Sequence, residues 1–411
     1  MTTLDGHRAA EEAARTSYGR LVAFLVSRWR DLADVEDALG DAFRSALESW
    51  PRHGVPDKPE AWLLSAARRR LVDKARHHAL ARAQEVELTR ITEDAMSRTS
   101  DDQAFPDERL NLLFACAHPA INEAIRTPLL LQVVLGLYAA AIASAFLVSP
   151  STMGQRLVRA KTKIRDAGIR FARPEPEDLA ERLEPVLEAI YAAYGSGWKD
   201  VAGSEAQRQG LSQEAIWLAR LVVEGMPDEP EAKGLLALML HSEARRPARY
   251  SDTGAYVPLS EQDVTRWSGP MFQEAEKLLA LAAEQKRTGR FQLEAAIQSA
   301  HAHRVLNGEP GWEEIALLYE GLLEKAPTIG VFVSRAAAVA EARGPAEGLK
   351  LLDAIPAERV RLYQPYWALR AHLAEQLGRT AEAAEAYETA VGLSEDPAVR
   401  AFLVTRLQRL R

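Results

Sequence analysis

Ser149-Pro150-Ser151-Thr152-Met153-Gly154-Gln155-Arg156-Leu157-Val158-Arg159-Ala160-Lys161-Thr162-Lys163-Ile164 sorts its residues into two faces. Met153, Leu157, Ala160 and Ile164 fall at i, i+4, i+7 and i+11, the spacing of one apolar helical stripe. Thr152, Gln155, Arg156, Arg159 and Lys163 form the opposite face, polar and cationic. Ser149 is placed to cap the helix, and Pro150 is acceptable in its first turn. Just upstream, Leu137 to Phe146 reads as a short helix with Ile142, Ala143 and Phe146 inward, followed by a tight turn after Leu147-Val148. Such a helix pair can lay its second member in a DNA major groove, with N-terminal residues at base edges and later Arg and Lys on phosphates. A solvated amphipathic helix with ordinary surface charge fits the same pattern, so this stretch alone leaves both readings open.

Working outward, no charged residue occurs from Thr127 to Gln155. The apolar part is long enough on hydropathy to span a bilayer. Gly136 and Pro150 punctuate it, and the helix-turn-helix spacing runs through it, so the soluble reading is preferred. The N-terminal residues alternate charged and small side chains and show no apolar core of a signal peptide, which predicts a cytoplasmic, non-membrane protein. With 411 residues, two or three domains are expected. Residues 1–175 carry 25 Lys+Arg against 23 Asp+Glu, and the remainder carries 26 against 35. A mildly basic front joined to an acidic back points to two different tasks. The single cysteine, Cys116, lies in an apolar run, excludes a disulfide framework and reads as a buried structural thiol.

A second informative stretch lies nearer the start. Val35 to Phe43 is an acidic amphipathic helix with Ala38, Ala42 and Phe43 inward and Glu36, Asp37 and Asp41 outward. After Trp50-Pro51 and a Pro/Gly loop, Ala61 to Arg76 forms a helix that Trp62, Leu63 and Ala66 can anchor, leaving Arg68, Arg69 and Arg76 to meet phosphate. Aromatics beside Arg on one helix suit melted nucleic acid, where bases and backbone are both reachable. A core tryptophan with a charged surface is the plainer alternative.

The back half is helical too, and it repeats. Gly344 and Gly378 are 34 positions apart (344 to 378), the period of the tetratricopeptide helix–turn–helix unit. Trp367, Gly378, Ala383, Tyr387 and Ala390 fit that unit, and Tyr319 and Leu322 fall two periods before Tyr387 and Ala390, with Pro327 in the place of the closing proline. Gln84 to Pro106 reads as a polar linker, Arg173 to Asp178 as a breaker, and Arg246 to Ser260 as a long internal loop of the kind that tends to be functional.

In this order and spacing, the front stretches resemble the extracytoplasmic-function sigma factors of the sigma-70 family. Trp50-Pro51-Arg52-His53-Gly54-Val55-Pro56, Ala61-Trp62-Leu63-Leu64, Ala145-Phe146-Leu147-Val148-Ser149 and Met153 to Lys161 resemble the subgroup with a tetratricopeptide-like C-terminal extension. The resemblance implies an all-α chain: a σ2 domain over residues 1–80, a linker over 81–105, a σ4 helix-turn-helix domain over 106–172 and a tetratricopeptide-like repeat domain over 179–411. It implies that Glu36, Asp37 and Asp41 dock on the clamp helices of the β′ subunit of core RNA polymerase, with the β flap as a further contact. Trp62, Arg68, Arg69, Arg70 and Arg76 would hold the melted −10 element of promoter DNA. Ser151, Thr152, Gln155, Arg156, Arg159 and Lys163 would read the −35 element. A regulatory protein received on the repeat domain is a further implied partner. The chain departs from the family pattern at three positions. Ala141 stands where an acid is usual, Gln132 where a base is common, and Gly40 where glutamine is usual.

Enzymatic readings gain nothing from the residues, and neither catalytic residue nor cofactor is expected. No Gly-rich phosphate loop follows a strand. His301-Ala302-His303 and His77-His78 are the close histidine pairs, and neither has the i, i+4 spacing or the neighbours of a zinc site. A DNA-binding regulator with a repeat-type sensor domain, acting without polymerase, is the alternative function. A scaffold with a vestigial helix-turn-helix is a third.

Overall fold

The computed structural model describes residues 3–82, 108–146, 148–198, 205–308 and 311–411; the expected linker lies almost wholly outside them. The fold is all-α. Among the described residues the regular structure is helices and turns, apart from one isolated antiparallel bridge, Tyr250–Tyr256. No described helix is long and apolar enough to cross a membrane. The chain divides into two compact units, 1–196 and 197–411.

The first unit opens with a three-helix group: α1 (Thr3–Trp29), α2 (Leu32–His53) and α3 (Pro59–Arg82). Asp31 caps α2 by accepting from the Asp34 amide (3.1 Å), which fixes where that helix starts. Its apolar positions Val35, Ala38, Leu39, Ala42, Ala46 and Trp50 are all buried. Against them α1 presents an unbroken buried run from Leu21 to Val26, and α3 supplies Leu63, Leu64, Ala67 and Leu71. Ser17 donates to Glu60 (2.5 Å) and Arg20 pairs with the same carboxylate (3.3 Å), pinning the start of α3 to α1.

A second group follows in the same unit: α4 (Arg109–Cys116), α5 (Glu123–Val133), α6 (Ala139–Ala145) and α7 (Pro150–Asp166). The apolar run is spent inside this group, with Leu129, Leu130, Leu131 and Val133 buried. Cys116 is fully buried, and burial pushes its thiol well above the ordinary range, as suits an inert core residue. The two groups touch directly. A methyl group at Gly19 would lie 1.9 Å from the Val134 carbonyl oxygen, so α1 runs against the backbone just after α5 and only glycine fits there. Helix α8 (Pro176–Trp198), which the sequence reading gives to the C-terminal domain, packs with this unit instead; Arg182 donates to the Phe114 carbonyl (2.9 Å). The breaker at Arg173–Asp178 interrupts the chain but does not end the packed core, because Leu183, Val186, Leu187 and Ile190 are buried beyond it.

The second unit is a succession of helices in which each long helix packs on the next long one: α9 (Glu205–Gly225), α10 (Pro230–Arg245), α11 (Gly269–Glu284), α12 (Arg290–Asn307), α13 (Trp312–Lys325), α14 (Ile329–Arg343), α15 (Pro345–Asp353), the single turn α16 (Ala357–Val360), α17 (Gln364–Gln376), α18 (Thr380–Leu393) and α19 (Pro397–Leu410). Gly344 (φ 101°) and Gly378 (φ 72°) both turn the chain with positive φ between paired helices, the physical basis of their 34-position separation (344 to 378). Small residues fill the seams: Ala371, Ala386 and Ala390 lie between α17, α18 and α19, with Tyr387, Leu403 and Leu407 closing the cluster.

Helices α10, α11 and α12 are joined by a polar knot. Glu276 accepts from Ser299 (2.7 Å) and meets the Nε2 atoms of His241 (3.2 Å) and His303 (3.3 Å), which hold its carboxyl down at about 2 against the opposing effect of burial. The long internal loop is ordered. Residues 249–257 form a small hairpin, Tyr250 donates from its hydroxyl to Asp396 (3.1 Å), and Tyr256 meets Phe402 edge to face at 5.8 Å. That loop ties the segment after α10 to α19, the last helix.

Candidate nucleic-acid interface

Helix α7 takes the form its sequence predicts. Ser149 accepts from the Thr152 amide (3.2 Å) as the cap, and Pro150 opens the first turn. Met153, Leu157, Ala160 and Ile164 are buried against α5 and α6. A buried aliphatic side chain contributes about 1.5–3 kcal/mol, so this stripe fixes the helix's rotation. Ser151, Gln155, Arg156, Arg159 and Lys163 are exposed, and Thr152 is half-buried with its hydroxyl on Ser149 (2.8 Å). Arg156, Arg159 and Lys163 line one cleft of about 490 Å³ with Asn122 and Ala124 at the start of α5. Three cations facing an open cleft, beside backbone amides at a helix start, make a surface suited to phosphate oxygens.

Helices α2 and α3 depart from expectation at two positions. Glu36 does not point outward. Its side chain is 13% exposed, meets Lys161 of α7 (14% exposed) at 2.5 Å and receives a hydrogen bond from the Tyr18 hydroxyl. Burial pushes the Glu36 carboxyl above its usual range while Lys161 pulls it back, and the Tyr18 phenol is driven up by burial and by the adjacent acid. The sequence placed Glu36 by the period of α2 alone, whereas α7 covers that flank of α2 from another part of the chain. Arg68 also turns inward, half-buried with its guanidinium 5.2 Å from the Phe24 ring centroid, beside Arg28 at 3.7 Å from the same ring. Burial and the neighbouring Arg28 lower its pKa.

The other expected residues remain at the surface in varying degree. Asp37 is exposed and Asp41 half-buried. Asp41 pairs with Arg44 (2.9 Å) and with Arg70 (3.7 Å), so a residue expected on polymerase and one expected on DNA meet each other. Lys74 bridges Asp34 (2.7 Å) and Asp37 (3.9 Å). Such partly exposed pairs contribute about 0–1 kcal/mol and yield readily to a partner. Trp62 is half-buried, edge-on to the buried Trp50 at 5.6 Å, and Arg69 and Arg76 are exposed. Sequence reasoning missed Lys161, whose place in a basic string gave no sign that it would be drawn inward. Among the described residues no cluster could hold a metal ion.

A sigma-70 region 2 model matches residues 14–80, from within α1 to near the end of α3. An uncharacterized protein of Rhizobium meliloti (strain 1021) is 38% identical over 390 residues, 94% of this chain and 92% of that protein. The N-terminal part of the chain thus carries a sigma-70 region 2 domain. A region 2 domain points to transcription initiation, with core RNA polymerase and promoter DNA as the partners it implies. Residues 182–283 match a family of unknown function, DUF6596, whose span begins within α8 and ends in α11. No solved structure matches.

Proposed function

We propose that this chain is a sigma-70 family factor of the extracytoplasmic-function type and directs core polymerase from the cytoplasm to particular promoters, without chemistry of its own. Helix α7 would read the −35 element, α3 would hold the melted −10 element, and α2 with the β flap contact would provide the hold on polymerase. The observation that carries this reading is the clean division of α7: a buried apolar stripe on one side and a capped, cationic, exposed face on the other. The paired helices of the second unit, with their 34-position glycine separation (344 to 378), support a tetratricopeptide-like regulatory domain that receives a protein partner.

The test is transcription in vitro with core polymerase and the full chain. Promoter-specific transcripts that require the chain are the expected result. Promoter binding without co-elution with core polymerase would overturn it in favour of a free-standing regulator. Arg156→Ala should weaken binding to all duplexes alike and reduce the salt slope by about one, as for a phosphate contact.

A further inference from the structure

Arg156, Arg159 and Lys163 all lie on one flank of α7, lining the cleft with the start of α5. On the opposite flank Lys161 is taken by Glu36 at 2.5 Å, and Arg165 lies 4.0 Å from Asp31. Between these flanks runs a ridge with no charge on it: Ser151, Gln155, Val158 and Thr162. Those positions repeat the i, i+4, i+7, i+11 spacing of the buried stripe, displaced by two residues. Two residues are about 200° of helical rotation, so the ridge faces away from the core.

Val158 stands out on that ridge. It is 63% exposed, an aliphatic side chain with a polar neighbour one turn to either side. A single exposed valine is ordinary on a protein surface. This one is at the crest of a helix whose flanking cations match a polyanion, and whose start is held by hydroxyl contacts from Ser149 to Ser151 (3.1 Å) and Thr152 (2.8 Å). A helix seated in the major groove by phosphate contacts on one flank brings its crest against base edges. There thymine is distinguished by its C5-methyl group, which only an apolar side chain can favour.

We propose that Val158 is a specificity-determining residue that reads a thymine methyl group in the major groove of duplex DNA, while Arg156, Arg159 and Lys163 hold phosphates. This rests on the promoter-reading function above and goes beyond it by separating the residues that carry sequence information from those that carry affinity. Gln155, on the same ridge, offers an amide to the neighbouring base edge.

The experiment is selection from a randomised duplex pool by the full chain assembled with core polymerase, followed by uracil replacement at each enriched thymine. Uracil lacks the methyl group and changes nothing else. The wild type should enrich thymine at a position where uracil then weakens binding about fourfold, the effect of one buried carbon. Val158→Ala should bind thymine and uracil duplexes alike at that position, and Val158→Ile should keep the discrimination. Indifference of the wild type to uracil at every enriched thymine would overturn the proposal, as would undiminished discrimination by Val158→Ala. Loss of core co-elution in Val158→Asn with base preference unchanged would also overturn it, by making the occupant a protein. A pool enriched no further than by core polymerase alone would count against promoter reading itself, and with it this assignment.

Discussion

Helices α7 and α2 begin from the same kind of pattern, an apolar stripe opposed to a charged face, and end with different surfaces. In α7 the expected outward residues Gln155, Arg156, Arg159 and Lys163 are outward. In α2 one of the three expected outward acids, Glu36, is turned inward and largely covered, against Lys161 of α7 itself. Helical period reports how a helix meets its nearest core, which is one contact. A second contact made by a distant segment covers another flank, and no local spacing records it. The same holds for Arg68, drawn onto Phe24 of α1 while its neighbour Arg69 stays in solvent.

The strongest way to break this comparison is at Lys161. Lys161→Ala leaves Glu36 buried without its cation and should cost about 2–4 kcal/mol. Lys163→Ala, two residues on but exposed, should change stability by less than about 0.5 kcal/mol. Urea midpoints of the two variants check this, and equal midpoints would mean that Glu36 is not held by Lys161.

The pH dependence of that difference sharpens the point. Burial raises the Glu36 carboxyl above its ordinary value, so the folded state accepts its proton more readily than the unfolded chain. Its contribution is therefore present below the ordinary glutamate range and lost as pH rises through the raised folded value. A protonated Glu36 has no need of Lys161. The penalty of Lys161→Ala should shrink as pH is lowered from 7.5 towards 4, measured as the gap between variant and wild-type midpoints.

Next in size is the exposed face. Arg159→Ala should weaken binding to all duplexes alike and lower the salt slope by about one with the fold intact, read by titration at several salt concentrations and by helical content. The smallest effect separates adjacent arginines of α3. Arg68→Ala should cost about 1 kcal/mol of stability through lost packing on Phe24, whereas Arg69→Ala should leave stability unchanged and reduce only DNA affinity. Identical stabilities for the two would dissolve the distinction between them.

Much of the architecture was legible because it is local. The cap at Ser149, the stripe from Met153 to Ile164 and the turns at Gly344 and Gly378 each follow from residues within one or two turns of one another. The place of α8 in the first unit was not, because the breaker at Arg173–Asp178 marks a change of direction, whereas Leu183, Val186, Leu187 and Ile190 are buried beyond it. The His303 of a pair with no local ligand partner also found its role at a distance, meeting Glu276 of another helix, which His241 of a third helix meets as well.

The hairpin at residues 249–257 changes how the second unit comes apart. A linear stack of helix pairs has free ends, and its terminal pair can fray while the middle persists. Here Tyr250 and Tyr256 reach from the segment after α10 to Asp396 and Phe402, so the last helix is anchored to an early one as well as to its neighbour. Asp396 also caps α19 through the amides of Ala398 (2.8 Å) and Val399 (3.2 Å), so one carboxylate serves both the helix start and the tie. Fraying of α19 must break the tie, and loosening of the hairpin takes a partner from the cap residue. The last helix and the segment after α10 therefore share one cooperative transition, and α19 should melt together with the hairpin, in place of a graded unravelling from that end.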